Sequence, residues 1–141
     1  METKYRVFIS YSHSDTRWGE WLQRALERYT LPAAFVGLKS DRGARLERAF
    51  GKVFRDRDEL TSGADLAAAI RAALAASENL VVICSPASAR SRYVEQEIVE
   101  FKRLGRGGRI HALIVDGEPH ASARPGQEAL ECLPRALRFA L

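Results

Sequence analysis

Three glutamates, Glu95, Glu97 and Glu100, sit within one helical turn or two of each other in the run from Asn79 to Leu104, NLVVICSPASARSRYVEQEIVEFKRL. The apolar residues Val94, Ile98 and Phe101 fall at i, i+4 and i+7, one stripe of a 3.6-residue helix. At about 100° per residue, Glu97 lies roughly 65° from the centre of that stripe, Glu95 about 95° and Glu100 about 125°. Glu97 is therefore the acid held nearest the protein body, and Tyr93, one turn back, shares its flank. A carboxylate beside an aromatic ring at the margin of a core, under the end of a buried strand, is a place to look for chemistry. Helices like this one commonly carry solvated acids, so the reading depends on what else the chain brings to the same place.

The preceding residues Leu80-Val81-Val82-Ile83 read as a buried strand, broken at Ser85-Pro86. The first strand is Tyr5-Arg6-Val7-Phe8-Ile9-Ser10, followed by the polar loop Tyr11-Ser12-His13-Ser14-Asp15 with helix N-caps available in Ser14 and Asp15. The helix after it is expected to bury Trp18, Trp21, Leu22, Ala25, Leu26 and Tyr29, stopping at Leu31-Pro32. From Ala33 to Lys52 the periodicity fades into a long excursion. Val53-Phe54-Arg55-Asp56 is a short second strand leading into the charged loop Arg57-Asp58-Glu59-Leu60-Thr61-Ser62-Gly63. Ser62 with Asp65 approximates a capping box for a helix through Ala76, with Leu66, Ile70, Ala73 and Leu74 inward. A fourth strand, Ile110 to Val115, ends in the turn Asp116-Gly117-Glu118-Pro119, and a helical fragment lies near the C-terminus.

Strands alternating with helices imply an α/β fold, a parallel sheet covered by helices on both faces. Such sheets bind ligands beyond the carboxyl ends of their strands, between strands one and three in the flavodoxin-like order. Those ends are Ser10-Tyr11-Ser12 and Cys84-Ser85-Pro86, and the helix after strand three bears Glu97. Ser10, Tyr11 and Tyr93, with Arg55 and Arg57 in a basic lid, complete a set that suits a phosphorylated nucleoside better than a peptide.

Other chemistries are excluded. There is no GxxxxGK[ST] phosphate loop, and SYSHSD stands where a dinucleotide fingerprint would follow the first strand. His13, His111 and His120 have no partner at metal-ligand spacing, so no metal is expected. His13 reads as a capping or surface residue and His111 as a hydrogen-bonded core residue. The basic run Lys102 to Arg109 reads as the complement of a helix C-terminus, and without interleaved aromatics it argues against nucleic acid. Charged residues at 28% and hydrophobic ones at 46% suit a globular domain, and a net charge of +4 is mild. No apolar run approaches the ~20 residues of a membrane span. Cys84 and Cys132 are expected to be free thiols of a reducing cytoplasm.

Three separated motifs in order, FISYSHSD, VFRDRDEL and ICSPASARSRYVEQEIVEF, resemble a Toll/interleukin-receptor (TIR) domain of the bacterial, NAD-cleaving type. The likeness spans Tyr5 to Pro119. It implies a flavodoxin-like fold of about five parallel strands, with the charged loop after strand two as the family's BB loop. It also implies an NAD nucleosidase that splits the nicotinamide–ribose bond. The family's W-x-x-x-E pattern falls on Tyr93-Val94-Glu95-Gln96-Glu97, which selects Glu97 as the catalytic acid with tyrosine in place of tryptophan.

On this reading NAD is substrate and no cofactor is needed. Ser10, Tyr11 and Tyr93 would bound the nicotinamide-ribose pocket, and Arg55 or Arg57 would lie near the diphosphate. The family implies activation by self-association in bacterial defence or signalling, with a fused or partner sensor domain. The alternative is a non-catalytic TIR scaffold for homotypic assembly. Residues 1–119 are taken as the domain, and 120–141 as its helical end or the start of a linker.

Overall fold

A computed structural model describes residues 3–39, 48–55 and 64–138. Arg57 and the Ser62 capping residue lie outside them. Four strands, β1 (Tyr5–Ser10), β2 (Val53–Arg55), β3 (Ser77–Cys84) and β4 (Ile110–Ile114), form one parallel sheet in the order β2-β1-β3-β4. The register sets Phe8 beside Phe54 and Leu80, Ser10 beside Val82, and Cys84 beside Ile114. This is the flavodoxin-like order, with β1 and β3 adjacent at the centre. Where about five strands were expected, four are formed among the described residues. Beyond β4 an isolated parallel bridge joins Glu118 to Glu131.

Alternation along β1 divides the core in two, because successive side chains of a strand point to opposite faces. Phe8 joins Leu80, Val82, Val94, Ile98 and Phe101 on one side. Val7, Ile9 and Tyr11 join Val53 and Ile83 on the other. The first face is covered by α2 (Ala64–Ala75), α4 (Arg92–Arg103) and the short α5 (Arg135–Arg138). The second is covered by α1 (Thr16–Arg28).

The helix α1 is turned from its expected orientation. Gly19 is its buried residue, with Leu22 and Leu26 half-buried on the sheet, while Trp18 and Trp21 are 44% and 49% exposed. Ala25 and Tyr29 are exposed as well. The reason is distance. A Cβ at Gly19 would stand 3.2 Å from the Tyr11 ring and 3.3 Å from Arg55 Cδ, so the helix seats its smallest residue against β1 and β2. The aromatic pair, one residue before Gly19 and two residues after it, is left edge-to-face at 5.8 Å on the surface.

The break after β3 is a capped turn of helix, α3 (Pro86–Ala89). Ser85 accepts from the Ser88 amide, the Ser88 hydroxyl accepts from the Ser85 amide, and Pro86 stands at the first helical position. Ser91 then caps α4 by accepting from the Val94 amide at 3.3 Å. The basic run after α4 serves another helix's end. Arg106 Nη1 donates to the carbonyls of Leu74, Ala75 and Ser77, closing the C-terminus of α2. His111 is exposed on β4 rather than in the core, with a ring nitrogen 3.3 Å from Asn79 Oδ1. As the last strand of the described sheet, β4 has a neighbour on one side only, which costs its side chains cover.

The C-terminal segment packs onto α4. Glu95 Oε1 accepts from the Ala136 amide at 2.9 Å, and Lys102 Nζ donates to the Ala136 carbonyl. Cys132, Leu133 and Ala136 are buried in the same cluster as Ile98 and Phe101. Inside this segment Glu131 accepts from the amides of His120, Ser122 and Leu133 and from the Ser122 hydroxyl.

Candidate functional site

The carboxylate singled out by helix geometry is buried. Glu97 is 5% exposed, and the Ser10 hydroxyl donates to its Oε1 at 2.6 Å. Two facts of local structure make this contact. Glu97 lies on the flank of α4 next to the Val94–Ile98–Phe101 stripe, and Ser10 is the last residue of β1 on the face that α4 covers. The pair therefore stands at the carboxyl edge of the sheet, between the ends of β1 and β3, where doubly wound folds place their ligands.

Tyr11 follows Ser10 and so points to the opposite face. It is fully buried there, and its hydroxyl accepts from Arg55 Nη1 at 3.2 Å. Arg55 Nε donates to Gln23 Oε1 at 2.7 Å, and the whole residue is only 8% exposed. The guanidinium thus ties β2, β1 and α1 together. In this position Arg55 is a buried brace rather than a cation held out toward solvent. The predicted set is accordingly split, with Ser10 and Glu97 on one side of the sheet and Tyr11 and Arg55 on the other. Tyr93 is 67% exposed at the start of α4.

A second clamp joins the two strand ends. The Ser85 hydroxyl donates to Asp15 Oδ2 at 2.5 Å. Asp15 occupies the N-cap position of α1 without a side-chain capping bond, so its carboxylate is used across the sheet edge. This holds the loop after β1 against the turn after β3. Between them lies an open cleft of about 410 Å³ lined by Ser12, His13, Ala87, Ser91, Arg92 and Tyr93. Glu97 does not line it, and of α4 only Arg92 and Tyr93 in the first turn do.

Sequence reasoning took Asp15 as a helix cap and Ser85 as a strand end, and passed over Gln23 and Arg92. Ser85 directly follows β3 and Asp15 closes the loop after the adjacent β1, a placement readable once the strand order is assumed. Gln23 carries no signal of its own. Burial pushes the Cys84 thiol up to about 12, with the neighbouring Cys132 adding to the effect, so neither chemistry nor metal binding is suggested there. Among the described residues no three His, Cys, Asp or Glu side chains are grouped to hold a metal ion, and no helix is long and apolar enough to cross a membrane.

A parallel sheet in this order, with an acid of the helix after β3 bonded to the end of β1, agrees with the likeness carried by the three motifs. The family model described as TIR domain matches residues 7–134, and the chain belongs to the TIR domain family. It is 33% identical over 139 residues to the NAD(+) hydrolase ApTIR of Actinoplanes sp., a match covering 96% of this chain and 18% of that relative. The chain thus corresponds to a small part of the relative's length. Among solved structures, the TIR domains in the activated Roq1 resistosome directly recognizing the pathogen effector XopQ share the fold, with a TM-score of 0.54 and 22% identity. That likeness covers 89% of this chain and 66% of the other.

Proposed function

We propose that this TIR domain cleaves NAD at the nicotinamide–ribose bond, with Glu97 as the catalytic carboxylate. The observation that carries the reading is the buried Ser10–Glu97 pair at the carboxyl edge of β1 and β3, at 2.6 Å. The 33% identity to an NAD(+) hydrolase supports the substrate.

The chemistry asks little of the protein beyond that group. Nicotinamide bonded to ribose is already a cation and leaves as a neutral molecule with the bonding electron pair, so no acid need protonate it. What rises in energy is the oxocarbenium-like ribose, and one carboxylate at its hydroxyls stabilises that charge in a dry site. The Ser10 hydroxyl turns about one single bond, so a ribose hydroxyl can replace it on Glu97. Attack by water, with its proton passed on, gives ADP-ribose, and internal attack by the adenine gives a cyclic product. Ser10 and Tyr93 bound the sugar and the leaving ring, and Arg57 stands as a candidate for the diphosphate. Tyr11 and Arg55 shape the pocket from behind. NAD enters as substrate and no further cofactor is required. We place the domain in the cytoplasm, in bacterial defence or signalling, with self-association as its activator and a sensor domain as its fused or separate partner.

The burial of Glu97 also favours a second reading, a TIR scaffold, because the side chains covering the carboxylate must move before a sugar reaches it. One experiment separates the two. The protein is incubated with NAD at high concentration and nicotinamide release is followed, beside Glu97→Gln. Release by the wild type and not by the variant is expected. Equal release from both removes Glu97 from the mechanism, and no release even from enforced oligomers leaves the scaffold.

A further inference from the structure

With Arg55 spent on Tyr11 and Gln23, the diphosphate of a dinucleotide has to be met by other cations, and a second cleft supplies them. It encloses about 350 Å³ beside the first and is lined by Arg90, Arg92 and Arg135, with Ser91, Glu95 and Gln96. Ser91 and Arg92 line both clefts, so the two lie side by side over the start of α4. The three arginines are exposed. The acid among them, Glu95, is engaged by the Ala136 amide at 2.9 Å. Arg90 Nη2 donates to the Ala129 carbonyl at 3.3 Å, which uses one of the five donors of a guanidinium. Three guanidinium groups against one carboxylate leave the cleft with an excess of positive charge.

We propose that this arginine cleft binds the diphosphate of the nucleotide substrate, with Arg90, Arg92 and Arg135 as its specificity-determining residues. The proposal rests on the reading of a dinucleotide as substrate and gives its diphosphate, for which that reading named Arg57, a cleft among the described residues. Guanidinium is the suitable cation, since its planar fork offers paired donors to phosphate oxygens. Arg92 and Glu97 are five residues apart on one helix, about 7–8 Å along its axis and about 140° around it. That path is longer than the span from a ribose ring to its own 5′-phosphate, so the long Arg92 side chain has to reach back past Tyr93 toward the sugar. An elongated ligand can then lay its sugar toward Glu97 and its phosphates across Arg92 into the second cleft, with Tyr93 between them. Arg135 reaches the site only because α5 is pinned to α4 through Glu95 and Lys102, so the C-terminal segment becomes part of the binding surface.

The test is direct titration with ADP-ribose, and with adenosine as the probe lacking phosphate, into wild type and Arg90→Glu/Arg135→Glu. The variant is expected to weaken ADP-ribose binding by at least about tenfold, to lose the salt dependence of the wild-type affinity, and to leave adenosine binding as it was. Equal ADP-ribose affinity in both proteins, or no binding by the wild type, overturns the proposal. Should the double variant lose its thermal transition, Arg92→Glu, exposed in the first turn of α4, carries the same comparison. Arginine-dependent ADP-ribose binding without any nicotinamide release would sink the hydrolase reading and leave this site standing. Release with arginine-independent binding would do the reverse.

Discussion

Two glutamates of this domain are buried to the same extent, Glu97 and Glu131 at 5% exposure each, and they are held by different kinds of partner. Glu131 takes fixed donors. The amides of His120, Ser122 and Leu133 point at it, the Ser122 hydroxyl adds a bond of 2.5 Å, and Arg138 Nη1 stands 3.9 Å away. Burial works against its charge, but the Ser122 hydroxyl and the three amides outweigh that and bring its carboxyl down to about 2. Glu97 instead receives a hydroxyl from a strand end, and a hydroxyl can turn away without breaking the backbone. A carboxylate locked by amides serves the fold, whereas on the proposed reading the hydroxyl on Glu97 is a partner that a ligand displaces.

The largest effect that bears on this contrast is Glu97→Gln. The amide keeps an acceptor for Ser10 and removes the charge, so nicotinamide release should fall by at least about 100-fold. The midpoint of urea unfolding should move by no more than about 1 kcal/mol in free energy. A large loss of stability would instead put Glu97 in the same class as Glu131.

Glu131→Gln should show the opposite pattern. Replacing a carboxylate that has several donors should cost about 2 kcal/mol near neutrality, with activity per folded molecule unchanged. The pH dependence follows from the lowered pKa. The unfolded carboxyl, with its ordinary value of 4.5, binds more protons than the folded one, so the contribution is fully present above that value. It is lost as pH falls toward about 2. The urea midpoints of wild type and variant should therefore draw together between pH 5 and pH 3. A gap that stays constant would show that the charge of Glu131 is not what stabilises the loop.

A smaller change, Ser10→Ala, tests the rotatable partner. If the hydroxyl positions the carboxylate, kcat should fall about tenfold with little change in the unfolding midpoint. Activity equal to the wild type would leave Ser10 as a placeholder that substrate simply displaces.

Much of this arrangement was legible in the residues, and the part that was not has physical causes. The angle of Glu97 on its helix depends only on the 3.6-residue period and the strong Val94–Ile98–Phe101 stripe, and the buried carboxylate follows from it. The opposite placement of Ser10 and Tyr11 was also available, since Val7, Ile9 and Tyr11 alternate with Phe8 and Ser10 along one strand. Treating both as walls of one pocket ignored that alternation. The rotation of α1 turned on Gly19, because a search for apolar stripes weights Trp18 and Trp21 above the residue that permits close approach. Glu131 and Arg135 could not be read at all. The first depends on backbone amides of an irregular loop, and the second lines the same cleft as Arg90, 45 positions away in the chain, through the docking of α5.

The smallest expected effect is at Ser122, and it tests whether the fixed set around Glu131 works as a unit. The Ser122 hydroxyl donates to Glu131 Oε1 and accepts from Arg138 Nη1 at 2.9 Å, so it links the acid to the base of α5. Ser122→Ala removes that link but leaves the backbone amides of residues 120, 122 and 133 on the carboxylate. The expected cost is about 1 kcal/mol, roughly half that of Glu131→Gln, because amide donors held by the chain remain in place. A double-mutant cycle of Ser122→Ala with Glu131→Gln should show coupling of about the size of the single Ser122 effect, since the serine has less to stabilise once the charge is gone. Additive losses would separate the two residues. The stability of this loop would then come from burial of Cys132, Leu133 and Ala136 rather than from the carboxylate at its centre.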